Sequence, residues 1–186
     1  MSSTIGVQNI AHTNGTVAAT VSSSGNIAMA SGKTFSGGGK VLQVKNFQTG
    51  ASTTGTSQMA ADDTIPQNTE GTEVMTLAIT PTSTSSNLLI QVVVWGSSSI
   101  DAVMTAALFQ DSTANALGAI TAYQSTGTGT HALQFNHFMT SGTTNSTTFK
   151  IRVGINTGTF TFNGYSGGRK LGGVGASSIT ITEIGG

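Results

Sequence analysis

Gly164-Tyr165-Ser166-Gly167-Gly168 has the G-x-S-x-G spacing in which a serine hydroxyl can act as a nucleophile. That chemistry needs a strained strand-to-helix turn to lift the serine above a sheet, and then an acid and a histidine further along the chain. Here Arg169-Lys170-Leu171-Gly172-Gly173 is too rich in glycine to begin a stable helix. Glu183 is the only acid after Ser166, and no histidine follows it. Among 25 glycines such a match is expected from composition alone. The same stretch lacks the G-x-x-x-x-G-K-[ST] order and the helix N-terminus of a phosphate cradle, so it reads as a surface loop before the last strand.

His131 and His137 are six residues apart and share a face of any regular strand. Around a threefold axis one such histidine would gather three imidazoles about a metal; the plainer role is hydrogen bonding in a sheet or an interface. Asp62, Asp63, Glu70 and Glu73 form the acidic cluster of the chain and offer oxygen ligands for calcium, without EF-hand spacing. A solvated loop is the simpler expectation for them. Nothing in the spacing sets two carboxylates across a sugar groove for glycoside cleavage. Flat rings that can stack on a saccharide are Trp95, Tyr123 and Tyr165. Trp95 ends an apolar run and is expected in the core or at a subunit interface, whereas Tyr165, in its glycine-rich loop, is the expected exposed ligand contact. Cysteine is absent, which removes disulfides, thiolate metal sites and thiol nucleophiles together. The chain therefore reads as non-enzymatic, with no cofactor.

The elements that must carry these residues are strands. Only 8% of the 186 residues are charged, against about 25% in typical soluble domains. The 37% that are hydrophobic alternate with Ser, Thr, Asn and Gln, and glycine punctuates short runs rich in Val and Thr. Seven basic and seven acidic residues cancel, and Arg169-Lys170 is the largest basic cluster, so a cationic stripe for nucleic acid is missing. The longest apolar run, Leu88 to Trp95, is too short to cross a bilayer, and Met1 leads directly into polar residues, so neither membrane insertion nor a secretory signal is expected. A neutral chain with so few charges tends to associate.

Ser36-Gly37-Gly38-Gly39 marks a boundary between residues 1–39 and 40–186. In the first segment, turn signals at Asn14-Gly15, Ser24-Gly25 and Ser31-Gly32 each precede two or three alternating strand residues. Its large apolar side chains are Ile5, Val7, Ile10, Val17, Val21, Ile27, Met29 and Phe35. They are too few to offset the entropy of ordering the segment alone, so they are expected to be contacts to sister chains or to an anchoring partner. In the second segment, strands are expected at about 40–48, 73–80, 87–96, 102–110, 116–123, 131–139, 147–155, 158–163 and 177–184. The stretch 50–71 has little periodicity and reads as a long loop. The alanines of 102–109 allow a helix, but length and neighbours favour strand. The expectation is an all-β protein: an antiparallel jelly-roll-like β-sandwich behind an extended N-terminal β arm, homotrimeric, with a strand order that periodicity cannot supply.

Ile65-Pro66-Gln67-Asn68-Thr69-Glu70-Gly71-Thr72-Glu73-Val74, Ile79-Thr80-Pro81-Thr82-Ser83, Ala107-Leu108-Phe109-Gln110-Asp111, Thr147-Thr148-Phe149-Lys150-Ile151-Arg152-Val153 and Ser177-Ser178-Ile179-Thr180-Ile181-Thr182-Glu183-Ile184 together resemble small virion-surface proteins and fibre domains of tailed bacteriophages. The resemblance spans roughly residues 40–184. It implies a trimeric jelly-roll knob on the virion surface, as a capsid decoration, head fibre or tail fibre, assembled in the host cytoplasm. Residues 1–39 would be the attachment arm and short shaft. Implied partners are other copies of the chain, capsid or tail proteins, and host-surface glycans; no catalytic residue carries over. The alternative is a stand-alone carbohydrate-binding module or adhesin.

Overall fold

Strands form where Val, Ile, Leu and Phe alternate with Thr, Ser and Gln, and they stop at glycine, asparagine and proline. The computed structural model describes residues 7–33, 40–125 and 129–186. The chain divides into two units, Met1–Gly38 and Gly39–Gly186. Ile5, Phe35 and the Ser36–Gly39 boundary lie outside the described residues.

In the first unit β1 (Asn9–Ala11), β2 (Val17–Val21) and β3 (Ile27–Met29) form an antiparallel sheet in the order β1-β2-β3. The two hairpins repeat one device. The His12 carbonyl accepts from Gly15 N–H while His12 N–H donates to the Thr16 carbonyl, and Ser22, Gly25 and Asn26 do the same one hairpin later. Gly15 and Gly25 take φ of 82° and 83°, the left-handed position that a three-residue hairpin loop demands. The loose repeat of the sequence is thus a repeat of turn chemistry.

The second unit continues with β4 (Val41–Thr49), β5 (Thr53–Gly55), β6 (Thr72–Ile79), β7 (Asn87–Ser98), β8 (Ala102–Gln110), β9 (Gly118–Gln124), β10 (His131–Thr140), β11 (Thr147–Ile155), β12 (Phe160–Phe162), β13 (Gly164–Tyr165), β14 (Gly168–Arg169) and β15 (Ser177–Ile184). A single 3₁₀ turn, Leu171–Gly173, interrupts the β structure of the described residues. Residues 102–110 are strand, as the pattern predicts. The stretch 50–71 is mostly loop, but it contributes β5, and 164–169 is a closed hairpin rather than an irregular loop.

The strand order completes what periodicity leaves open. One sheet runs β4-β15-β7-β10, with β12 and β5 continuing beside the far end of β7; the other runs β6-β11-β8-β9. Numbering the eight long strands in sequence, this is first-eighth-third-sixth facing second-seventh-fourth-fifth, all antiparallel, which is the double Greek key of a jelly roll. Leu88, Ile90, Val92 and Val94 of β7 point into the core and meet Met104, Ala106 and Leu108 of β8 and Phe149, Ile151 and Val153 of β11 in one buried cluster. A one-residue slip of any of these strands would turn its apolar set to water.

Irregular segments are pinned by single buried side chains. Met59 inserts against Ala107 and Phe109 on the outer side of β8, holding the long loop onto the sheet. Gly154 leaves room for it, since a Cβ there would lie 2.3 Å from that of Met59. Asn163 donates to the Thr49 and Ala51 carbonyls and accepts from the Ser177 hydroxyl at 2.6 Å, tying three chain segments at one point. Glu183, on the core-facing row of β15, is buried yet ionised. Burial alone pushes its carboxyl up. Gln43 Nε2 at 2.6 Å and the Thr82 N–H and hydroxyl, each at 2.7 Å, outweigh that and hold its pKa at about 2. The Ser86 hydroxyl also favours the charge, although its geometry is not that of a well-formed hydrogen bond.

Two outcomes test these anchors. Met59→Ala leaves a cavity and is expected to cost about 2–4 kcal/mol in urea unfolding, with hydrogen exchange accelerated across residues 56–66. Because the folded pKa of Glu183 lies below its ordinary value of 4.5, its stabilisation is present above pH 4.5 and is lost as pH falls towards 2. It amounts to roughly 3 kcal/mol, and unfolding midpoints measured across that window should show a loss in the native protein that Glu183→Gln no longer shows.

Candidate functional site

Among the described residues of the first unit, most large apolar side chains are exposed. Register places Ile10, Ala19 and Met29 in one cross-strand row and Val21 beside Ile27 in the next, with Val17 on the same face of the three-stranded sheet. Of these Ala19 alone is buried; Ile27 is 67% and Ile10 48% exposed, Val17 and Val21 are half-buried, and Met29 and Val7 are also exposed. An apolar face open to water on this scale is the kind of surface that marks an interaction site.

A second uncovered face lies on the β4-β15-β7-β10 sheet. Its inner rows make the core, and its outer rows align Phe138, Leu89, Thr182 and Val44, then Thr140, Asn87, Ile184 and Val41. Phe138 is 60% exposed on β10, and Val41 and Val44 are exposed on β4 at the other edge of these four strands. The remaining outward positions of these four strands are Ser, Thr, Asn, Gln, Val, Ala and Trp, so the face carries no charge. The opposite sheet carries its charges outward: Glu73 lies 3.8 Å from both Lys150 and Arg152, whose guanidinium also donates to the Glu70 and Gly71 carbonyls. Depletion of charge with retention of aromatic and aliphatic groups is the composition of an interface centre.

The residues singled out for chemistry are scattered. Ser166 and Gly167 are the two turn residues between β13 and β14, at φ of 52° and 74°, which makes a type I′ hairpin and not a strand-to-helix elbow. A Cβ on Gly164 would collide with the Gly168 carbonyl, so the first glycine of the motif serves the hairpin. Tyr165 is half-buried, with Lys170 Nζ 4.2 Å above its ring. Trp95 lies on the outer side of β7 with Gly175 against its ring.

His131 and His137 share the inner face of β10, as their spacing predicts, about 20 Å apart along the strand. Burial beside Gly118 of β9 lowers the pKa of His137. The acidic cluster disperses: Asp62 caps Thr64, Glu70 accepts from Gln67 N–H at 2.6 Å, and Glu73 stands in the ion pairs above. No group of three or more potential metal ligands occurs among the described residues, and no helix among them is long and apolar enough to cross a membrane.

A concavity with several polar side chains lies on the second unit. Residues 60–66 fold over the outer face of β8 and β9 and leave a groove of about 260 Å³ lined by Asp62, Thr64, Thr105, Ala119 and Thr121. Thr105 and Thr121 are directly opposed across the strands, and the Thr105 hydroxyl, on a residue 3% exposed, has no hydrogen-bond partner. Tyr123, two residues beyond Thr121 on the same face, is 62% exposed. Sequence reading missed this site because Thr105 sits in an alanine-rich strand, and only the overlying loop turns its position into a groove wall.

No family model matches the chain, and no curated protein matches it. Among solved structures it is similar to the infectious bursal disease virus Gx strain structure, at TM-score 0.38 and 14% identity over 78% of this chain and 38% of that one. It is similar also to the T=1 particles derived from infectious bursal virus, at TM-score 0.39 and 14% identity over 87% and 39%. The VP2 subviral particle of infectious bursal disease virus gives 0.34 and 12% over 78% and 39%. The chain spans about two fifths of the length of these chains. At such scores the functional reading rests on the chain's own residues.

The hairpin assignment of the G-x-S-x-G stretch has a direct test. Ser166→Asn gives the Asn-Gly pair that a type I′ turn prefers, and is expected to raise stability by about 0.5 kcal/mol in thermal unfolding. A serine held in place by a strained catalytic elbow would not tolerate the change in this way.

Proposed function

We propose that this chain is a non-enzymatic virion structural protein that forms a small homotrimeric appendage on the surface of a bacteriophage particle. In this reading residues 1–39 trimerise and anchor to a capsid or tail protein, and the jelly roll faces outward. The observation that carries it is the exposed apolar face of the arm, where Ile10, Val17, Val21, Ile27 and Met29 line one side of a sheet that buries only Ala19. Sister copies are the occupants that a neutral face with no charged row suits best, because it has no field to match against a charged partner. The uncharged face around Phe138 supports the same reading as a second contact between copies. The tailed-phage character comes from the sequence resemblance across residues 40–184.

Light scattering on the full chain is expected to give three times the 18.7 kDa of one copy. Ile27→Lys, which sets a cation into the arm face, should shift the population towards monomer while the jelly roll keeps its unfolding transition. A stable monomer from the unaltered chain at micromolar concentration argues for the free carbohydrate-binding module instead. Counting copies per particle by quantitative mass spectrometry separates the two locations: scores to hundreds indicate a capsid ornament, and a few to a few tens indicate a tail part.

A further inference from the structure

We infer that the groove between residues 60–66 and the outer face of β8 and β9 binds a single neutral sugar ring, the terminal residue of a surface glycan. The assignment adds a ligand to the outward jelly roll and does not depend on how many copies assemble.

Four features of the groove converge on that chemistry. Its volume of about 260 Å³ falls below the roughly 300–1,000 Å³ of pockets for drug-sized ligands, which suits one pyranose with the rest of the glycan outside. Its polar groups are those that recognise hydroxyls. Asp62 accepts both Thr64 hydrogen bonds on one oxygen, which leaves the other for a ligand O–H, and Thr121 lines the groove from the exposed edge strand. Its walls include Ala60, Ala61, Pro66 and Ala119, small aliphatic surfaces for the C–H side of a ring. No Lys or Arg lines it, and Asp62 does, so phosphate, sulfate and carboxylate ligands are disfavoured.

Two further observations come from outside the lining as a shape. Thr105 is buried, its hydroxyl lacks a partner within the protein, and an orphaned buried hydroxyl costs about 1–3 kcal/mol. Valine has the same shape without that cost and suits a strand at least as well, so the structure alone gives no reason for threonine there. A ligand hydroxyl supplies one. Tyr123, two residues beyond the groove-lining Thr121 on the same face of β9, keeps its ring bare, whereas Tyr165 already has Lys170 over its ring. An exposed ring beside a hydroxyl-lined groove is the pairing that holds a second sugar residue by stacking.

The test uses the full chain and methyl glycosides of glucose, galactose, mannose and N-acetylglucosamine, each titrated to about 10 mM in saturation-transfer NMR. At least one is expected to bind. Thr105→Val should weaken that binding by about tenfold or more while its unfolding midpoint is unchanged or raised, which separates loss of the ligand contact from loss of fold. Tyr123→Ala should weaken a disaccharide containing the same terminal sugar more than the monosaccharide, and Tyr165→Ala should change neither. Absence of binding by all four glycosides, or binding that Thr105→Val leaves intact, overturns the assignment. Light scattering on the same samples reports assembly separately, so a trimer that binds no glycoside removes this site alone, and a monomer that binds removes the appendage alone.

Discussion

The interior of the jelly roll hangs on β7. Its backbone pairs along Asn87–Gly96 with β10 on one side, and on the other with β15 along Asn87–Val93 and then with β12 along Gly96–Ser98, so other strands of the chain satisfy most of both edges. Leu88, Ile90, Val92 and Val94 turn into the core while Asn87, Leu89, Gln91, Val93 and Trp95 turn out. That two-residue period sets which face of every neighbour is inward, because a partner strand out of step would place Gln91 opposite Ile181 or Phe135. The opposing sheet needs only to present Met75, Met104, Phe149 and Ile151 to the same interior.

Around this interior the chain holds its irregular parts with few groups. Met59 fastens a loop of some twenty residues by apolar contact, Asn163 joins three segments by hydrogen bonds to their backbone, and Glu183 secures the turn after Pro81 as a buried anion. Each is a single side chain whose neighbours are far away in sequence. In a protein with so few charges, the buried polar contacts of Asn163 and Glu183 take the place that ion pairs fill elsewhere.

Charge and apolar exposure are distributed unevenly, and the functional reading follows from that. Lys150, Arg152 and Glu73 crowd the outer side of one sheet, and the outer side of the other has none. The arm has a complete turn structure but leaves its aliphatic face open. In the proposed assembly of copies both open faces would share one occupant, and the groove above β8 and β9 lies on the other sheet, which carries the charges.

Alternation alone located the long strands of the second unit to within about two residues, because a half-buried strand cannot conceal a period of two. The glycine turns of the arm were legible for the same local reason: Gly15 and Gly25 occupy a backbone conformation that other residues resist. So was the shortage of apolar groups in residues 1–39. Strand order was not, since nothing in the spacing of β4 and β15 tells them to pair across more than a hundred residues. The role of Glu183, the hairpin at Ser166 and the groove beside Thr105 also waited on the fold. The first and last depend on groups brought together from distant segments, Gln43 and Thr82 around Glu183 and residues 60–66 laid over β8, and the hairpin on the local pairing of Gly164 with Arg169. Local sequence sets the conformation of a segment, but burial and hydrogen bonding are properties of pairs, and the pairs exist only once the two sheets have closed on each other.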